Sequence, residues 1–191
     1  MSDKARIRKQ LRQARREHAR ALPENVRALI LHRPPTQLLD LIPLGTMIGL
    51  YREDPDEAPA TSYAKFFFDR GHELALPRFA NRESPMEFAR FADPYGESDL
   101  ELGTFDLWQP VAEAPTVVPD ILIAPLVGFT EHGARLGQGG GHYDRWLADH
   151  PGTVAIGLAW DCQKVEELPL EPHDQPLAAI VTPTRFYGPF A

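Results

Sequence analysis

Two stretches of this chain are almost free of polar side chains, and they limit its fold more than any other feature. Residues 120–126 read Asp-Ile-Leu-Ile-Ala-Pro-Leu behind Pro119, and residues 153–160 read Thr-Val-Ala-Ile-Gly-Leu-Ala-Trp. Short apolar runs rich in branched residues predict strands, and a strand that shows no alternation has both of its faces covered. Sheets covered on both faces are mostly parallel and carry helices on either side. Helical stretches alternate with the other strand candidates, so the expected fold class is α/β. The architecture expected is a three-layer αβα sandwich with a largely parallel central sheet, in a single domain spanning 1–191.

Between the two strands lies Arg135-Leu136-Gly137-Gln138-Gly139-Gly140-Gly141-His142-Tyr143-Asp144-Arg145. The glycines let the backbone approach a ligand closely and point N–H groups at it. The helix predicted from about Tyr143, stopped by Pro151-Gly152, adds the partial positive charge of its first turn, so the whole suits an anion such as phosphate. The spacing is neither of the two common phosphate-loop patterns, and a plain tight turn is the competing reading. The neighbours favour a site: Arg135 and Arg145 offer cations to phosphates, Asp144 a carboxylate to a metal, Tyr143 a ring to a flat substrate. In an open parallel sheet, ligands sit beyond the carboxyl ends of strands, which is where the 127–142 loop must lie.

The rest of the chain fits around this centre. Residues 2–22 predict a helix capped by Ser2 or Asp3 and ended by Pro23. Its apolar side carries Ile7, Leu11, Ala14, Ala21 and Leu22, with Lys4, Arg8, Arg12 and Arg15 as a stripe along the border and Lys9, Arg16 and Arg20 on the solvated side. Helices follow at 24–32 and 36–42, a strand at 46–51, an acidic turn at 53–57 and a helix at 60–70. Strands are expected at 73–79, 86–91, 102–108 and 177–182, with a loop at 168–174.

Charge and cysteine narrow the function. The first 20 residues hold eight cations against Asp3 and Glu17, which leaves −13 on the remainder of a chain whose net charge is −7. An acidic body with one basic helix speaks for a local anion site rather than the broad footprint of a nucleic-acid binder. The single Cys162 precludes an internal disulfide and suits a reducing cytoplasm, reading as a buried small hydrophobe. The charged start has no apolar core behind it, and no stretch reaches the ~18 apolar residues of a membrane span, so neither a signal peptide nor a membrane partner is expected.

The run from Gly128-Phe129-Thr130 through Arg135-Leu136 and the glycines to Tyr143-Asp144-Arg145 closely resembles the signature of the 5-formyltetrahydrofolate cyclo-ligase family. The resemblance extends, in order, to Lys4 and Arg8, Glu57, Asp69-Arg70-Gly71, Leu76-Pro77-Arg78, residues 156–159, and His173-Asp174 before residues 180–182. It implies ATP-dependent, Mg²⁺-requiring cyclisation of 5-formyltetrahydrofolate to 5,10-methenyltetrahydrofolate. It further implies that Lys4, Arg8, Arg135, Tyr143 and Arg145 serve the chemistry, and that Lys4, Arg8, Arg135 and residues 137–143 (Gly137, Gln138, Gly139, Gly140, Gly141, His142, Tyr143) hold the nucleotide. Glu57, Trp108 and Tyr143 are the folate contacts so implied, with Asp56 and Glu53 as alternative acids, and Asp144 and Asp174 are the metal ligands. Four positions depart from the family pattern: Gln138 stands where some members have arginine, His142 replaces the first of a tyrosine pair, Asp106 a glycine and Gln109 a glutamate. The partners expected are a reduced folate and ATP, with no nucleic acid, and a monomer or weak homo-oligomer. Two competing readings are a nucleotide-binding protein of the same fold with a non-folate substrate, and an RNA-associated protein using the basic first helix.

Overall fold

The structure is a computed structural model that describes residues 3–190, with the backbone alone for Glu24 and Ala28. In chain order, three helices, α1 (Asp3–Ala21), α2 (Glu24–Leu29) and α3 (Thr36–Leu39), precede β1 (Met47–Gly49) and α4 (Thr61–Asp69). Next come β2 (Glu73–Arg78), β3 (Glu87–Phe91), β4 (Leu100–Leu102), β5 (Trp108–Pro110), β6 (Thr116–Val117) and β7 (Ile121–Pro125). A small hairpin of β8 (Gly128–Phe129) and β9 (Arg135–Leu136) leads into α5 (His142–Asp149), followed by β10 (Val154–Leu158), β11 (Ala179–Val181) and β12 (Phe186–Tyr187). One sheet takes the order β12-β11-β10-β7-β1-β2-β3-β6. Its middle, from β11 to β2, is parallel, and β12, β3 and β6 pair antiparallel at the edges.

The two apolar strands sit side by side at the centre, β7 against β10, with Ile123 opposite Ile156. Successive side chains leave a strand on opposite faces, and here each face meets a different layer. Ile121, Ile123, Ile156 and Leu158 enter one core with Leu38 of α3 and Tyr63 and Phe67 of α4. Leu122, Ala124 and Ala155 enter the other with Trp146 and Leu147 of α5. The three layers and the largely parallel sheet are therefore as the sequence predicts. At Gly49 the sheet is packed so closely that a Cβ would stand 2.8 Å from Pro119 Cγ and 3.1 Å from Leu122 Cδ1.

Helix α1 lies across this body with its apolar stripe inward. Leu11 packs with Val127 and Leu136, and Ile7, Val165 and Leu168 flank them. Close docking depends on Gly128, where a Cβ would stand 2.4 Å from Leu11 Cδ1. Farther along, the His18 ring stands 5.1 Å from that of Trp160. Ala21, expected inside, is exposed; of the two candidate caps, Ser2 lies outside the described residues.

Several expectations are corrected. The strand expected at 102–108 is the β4–β5 hairpin, broken at Phe105 and Asp106, whose φ values are 64° and 57°. Asp enters the left-handed region more readily than most residues, and Gly103 loosens the chain before it, so a turn forms where apolar spacing suggested continuation. The helix expected at 24–32 ends at Leu29, because Ile30 is extended and Leu31 turns at φ 56°. The helix expected at 36–42 gives way to turns after Leu39. The β8–β9 hairpin, unforeseen, stands between the apolar strand and the glycines.

Candidate functional site

The carboxyl ends of β7 and β2, the glycine loop, α1 and the 171–174 turn enclose one cleft of about 760 Å³. It receives Lys4, Arg8, Arg12 and Arg15, which the helical projection had placed along one border of α1. Opposite them stand residues 137–143, while Phe79, Met86, Phe105, Leu107 and Trp108 form an apolar end. Every residue assigned from the sequence to ligand, metal or catalysis lines this cleft except Arg145 and the alternative acid Glu53. Arg145 is exposed on the first turn of α5, where Nη2 donates to the Gly140 carbonyl at 2.8 Å.

At the cationic end the charges pair with one another. Lys4 Nζ reaches Asp174 Oδ2 at 2.7 Å and Glu171 Oε2 at 2.8 Å. Burial works against the ammonium, but the bonds to Asp174 and Glu171 prevail and raise its pKa; Asp174, also opposed by burial, is held below its ordinary value chiefly by Lys4. Arg135 Nη2 donates to Asp144 Oδ1 at 2.6 Å, and the Gln175 amide donates to the same oxygen at 3.2 Å. Arg135 Nε is buried with no acceptor among the described residues, and the guanidinium stands 5.8 Å from the centre of the Tyr143 ring. Burial, reinforced by Glu57, pushes the Tyr143 hydroxyl far up, so it stays protonated at neutral pH.

The glycine loop is fastened from its carbonyl side. Arg8 Nε donates to Gly137 O at 2.9 Å, and Arg12 Nη2 to Gln138 O at 2.5 Å. Gly139 has φ 109° and Gly141 φ 66°, conformations that a side chain would strain, and Gly141 is the N-cap of α5. The loop thus places the start of a helix, with its unpaired N–H groups, against the cleft.

Between the cationic and apolar ends sits Glu57, buried. Its Oε1 accepts from Arg15 Nη1 at 3.2 Å and Gln138 Nε2 at 3.1 Å, and its Oε2 from the Asp54 amide at 3.1 Å. Burial raises its pKa, with Arg15 the main opposing influence. Of the other candidate acids, Asp56 also lines the cleft, paired with the exposed Arg16, whereas Glu53, whose Oε1 takes the Thr61 hydroxyl, does not. At the apolar end, the His142 ring meets Phe79 and Phe105 at centroid distances of 5.0 and 6.2 Å. Burial first, then Arg145, lowers the His142 pKa, so the ring is neutral and acts as an aromatic wall at physiological pH. Trp108 is 51% exposed at the rim. Gln109 holds the Phe79 backbone in both directions, accepting from its N–H at 3.1 Å and donating to its carbonyl at 3.3 Å. A glutamate there could not do both while ionised.

Sequence reasoning left out Tyr51, Arg12, Arg15, Glu171 and His173 as site residues, although Arg12 and Arg15 belong to the same helical stripe as Lys4 and Arg8. Glu171, His173 and Asp174 bring three ligand-capable atoms within 4.8 Å of one another, with the Lys4 ammonium on two of the carboxylates. The spacing of those three residues was a detectable signal.

Residues 1–183 match the family model described as the 5-formyltetrahydrofolate cyclo-ligase family. A stretch of 103 residues is 43% identical to the 5-formyltetrahydrofolate cyclo-ligase of Escherichia coli (strain K12), covering 51% of this chain and 57% of that one. The match thus spans little more than half of that relative's length. The Mycolicibacterium smegmatis protein of the same description is 27% identical over 188 residues, with coverages of 94% and 95%. Among solved structures, the 5,10-methenyltetrahydrofolate synthetase of Aquifex aeolicus superposes with a TM-score of 0.76 at 26% identity, covering 97% of this chain and 92% of that one.

Proposed function

The chain belongs to the 5-formyltetrahydrofolate cyclo-ligase family, and from this we propose that it closes 5-formyltetrahydrofolate to 5,10-methenyltetrahydrofolate at the expense of ATP, releasing ADP and phosphate. The observation that carries the reading is the layout of this cleft: a cationic, glycine-lined end and an aromatic end joined by the buried Glu57. A phosphate tail and a flat reduced pterin are the two halves such a cleft takes. The orphaned Arg135 Nε supports an anion at the first end. Relatives that carry the printed activity across nearly the whole chain support the second.

The chemistry assigns work to each group. The formyl oxygen of the substrate attacks the γ-phosphorus of ATP, an O–P bond forms, and the bond to the bridging oxygen breaks to release ADP. N10 then attacks the activated carbon, the C–O bond breaks, phosphate leaves and N10 loses its proton. Phosphoryl transfer asks the protein for alignment and charge neutralisation more than for covalent help. Lys4, Arg8 and Arg135 supply cations, the amides of residues 137–141 supply N–H donors, and the neutral Tyr143 hydroxyl supplies a donor beside them. Glu57 accepts from the ring N–H and amino groups of the pterin, against the walls Trp108, Phe105 and His142. Arg145 acts by fixing the Gly140 carbonyl rather than by touching a ligand.

Asp144 and Asp174 would hold Mg²⁺. Both offer hard carboxylate oxygen, the donor this ion prefers, and both already neutralise a cation in the cleft. The ion supplies charge neutralisation on the phosphate oxygens when bound. We place the enzyme in the cytoplasm, acting as one catalytic unit on small-molecule partners; no helix among the described residues is long and apolar enough to cross a membrane. The test is a coupled assay on the purified chain that follows methenyl-folate absorbance and ADP release together. The expected result is equimolar appearance of both, dependent on ATP and Mg²⁺; ADP release without methenyl-folate would overturn the folate reading.

A further inference from the structure

We propose that Gln138 is a positioning residue that couples the nucleotide end of the cleft to the folate end. It rests on the functional reading above for the identity of the two ligands, and on the geometry of one side chain for the coupling. Gln138 Nε2 donates to Glu57 Oε1 at 3.1 Å, while its Oε1 accepts from Arg12 Nε at 3.0 Å and its carbonyl accepts from Arg12 Nη2 at 2.5 Å. Three elements far apart in the chain, α1, the turn before α4 and the glycine loop, therefore meet on one amide.

The bridge needs a donor and an acceptor on one side chain, which an amide of this length supplies. Arg12 needs an acceptor and Glu57 needs a donor, and a guanidinium or ammonium has no acceptor to offer while a carboxylate has no donor. An arginine at 138 would moreover be a further cation beside Arg12, which already has Arg8 and Arg15 as charged neighbours. The neutral side chain is thus fitted to its surroundings in this chain.

Coupling follows from what each ligand must order. Glu57 Oε1 carries one donor from α1 and one from the loop, so the plane of the carboxylate that meets the pterin depends on the loop being in place. Phosphates that order the glycine loop order Gln138 with it, and a folate arriving afterwards meets a carboxylate already fixed. The second ligand then has less freedom to remove, which is positive cooperativity, equal in both directions.

The experiment is calorimetric titration of the Mg²⁺ complex of a non-hydrolysable ATP analogue, with and without saturating 5-formyltetrahydrofolate, on the parent chain, Gln138→Met and Gln138→Arg. Met keeps the length and removes both side-chain bonds; Arg keeps a donor toward Glu57 and removes the side-chain acceptor for Arg12, the backbone carbonyl at 138 remaining in each. Melting curves verify that each variant folds. In the parent, folate should tighten the analogue by about fivefold or more, and in both variants the ratio of the two affinities should fall to within about twofold of unity, whatever the affinities themselves. A parent without cooperativity, or a variant that keeps the parental ratio, overturns the coupling role while leaving the functional reading intact. A parent that binds the analogue but no folate overturns the functional reading and this proposal with it.

Discussion

Replacing Glu57 by glutamine tests the centre of the cleft, and the structure sets the size of the effect. The carboxylate receives three donors, Arg15 and Gln138 on Oε1 and the Asp54 amide on Oε2, at 3.1–3.2 Å. An amide has one acceptor oxygen. Turned toward Arg15 and Gln138, it sets its NH₂ against the Asp54 N–H; turned the other way, it sets NH₂ against two donors. The better orientation sacrifices one hydrogen bond and the ionic part of the Arg15 pair, whose side chains are 7% and 9% exposed. Leaving a buried donor unmatched costs ~1–3 kcal/mol. In a chain of this size that corresponds to roughly 2–4 °C of melting temperature per kcal/mol. The same substitution presents the pterin donors with a poorer acceptor, so 5-formyltetrahydrofolate should bind ~5–150-fold more weakly. Melting curves and calorimetry read the two effects separately. The pH dependence has a definite sign. Burial holds the folded Glu57 above its ordinary value of 4.5, so its contribution to stability is fully present below that pH and is lost as pH rises through the elevated value. The stability gap between parent and variant should therefore narrow as pH rises above 4.5. A variant that melts with the parent and binds folate equally well would refute the assignment and move the pterin contact to Asp56, the other candidate acid on the cleft.

Three further outcomes are expected. Lys4→Ala and Arg8→Ala should each raise the KM for ATP at least several-fold, whereas Lys9→Ala, on the exposed face of α1, should not; equal KM values across all three would mean that the helix is only a charged surface. Asp144→Asn should lower kcat most at limiting Mg²⁺, with far-UV circular dichroism unchanged, and normal turnover there would remove Asp144 from the metal site. Gly128→Ala adds a Cβ 2.4 Å from Leu11 Cδ1, an overpacking that costs ~1–3 kcal/mol and lifts α1; melting temperature and ATP affinity should fall together, and a fall in stability alone would show that α1 keeps its place.

Legibility in the sequence followed the range of the interactions. The unbroken apolar runs of β7 and β10 reveal burial on both faces because that property belongs to each segment by itself. The stripe of Lys4, Arg8, Arg12 and Arg15 is equally local, being set by helical periodicity alone. The β4–β5 hairpin was missed because its reversal rests on two residues with positive φ that apolar spacing does not report. Arg145 was grouped with the site because it closes the glycine signature and offers a cation, but one residue along a helix turns a side chain by about 100° from Asp144, and Arg145 is exposed outside the cleft lining. The bridge from Arg12 through Gln138 to Glu57 joins residues 126 and 81 positions apart, and no local pattern encodes such a meeting.

The same separations decide when the site comes into being. Helix α1 precedes in the chain everything it grips: Glu57, Gly137, Gln138, Glu171 and Asp174. On a ribosome it emerges with its cations and its apolar stripe bare; Glu57 follows early for Arg15, but Lys4 waits through most of elongation before Glu171 and Asp174 exist. The parallel strands can begin to pair in the meantime, but the cleft is completed only when the 171–174 turn has been made. Catalytic competence in this architecture is therefore a late event of biosynthesis, fixed by the order in which the polymer is threaded out, and a nascent chain arrested before that turn would have most of its sheet but leave Lys4 without its two carboxylates.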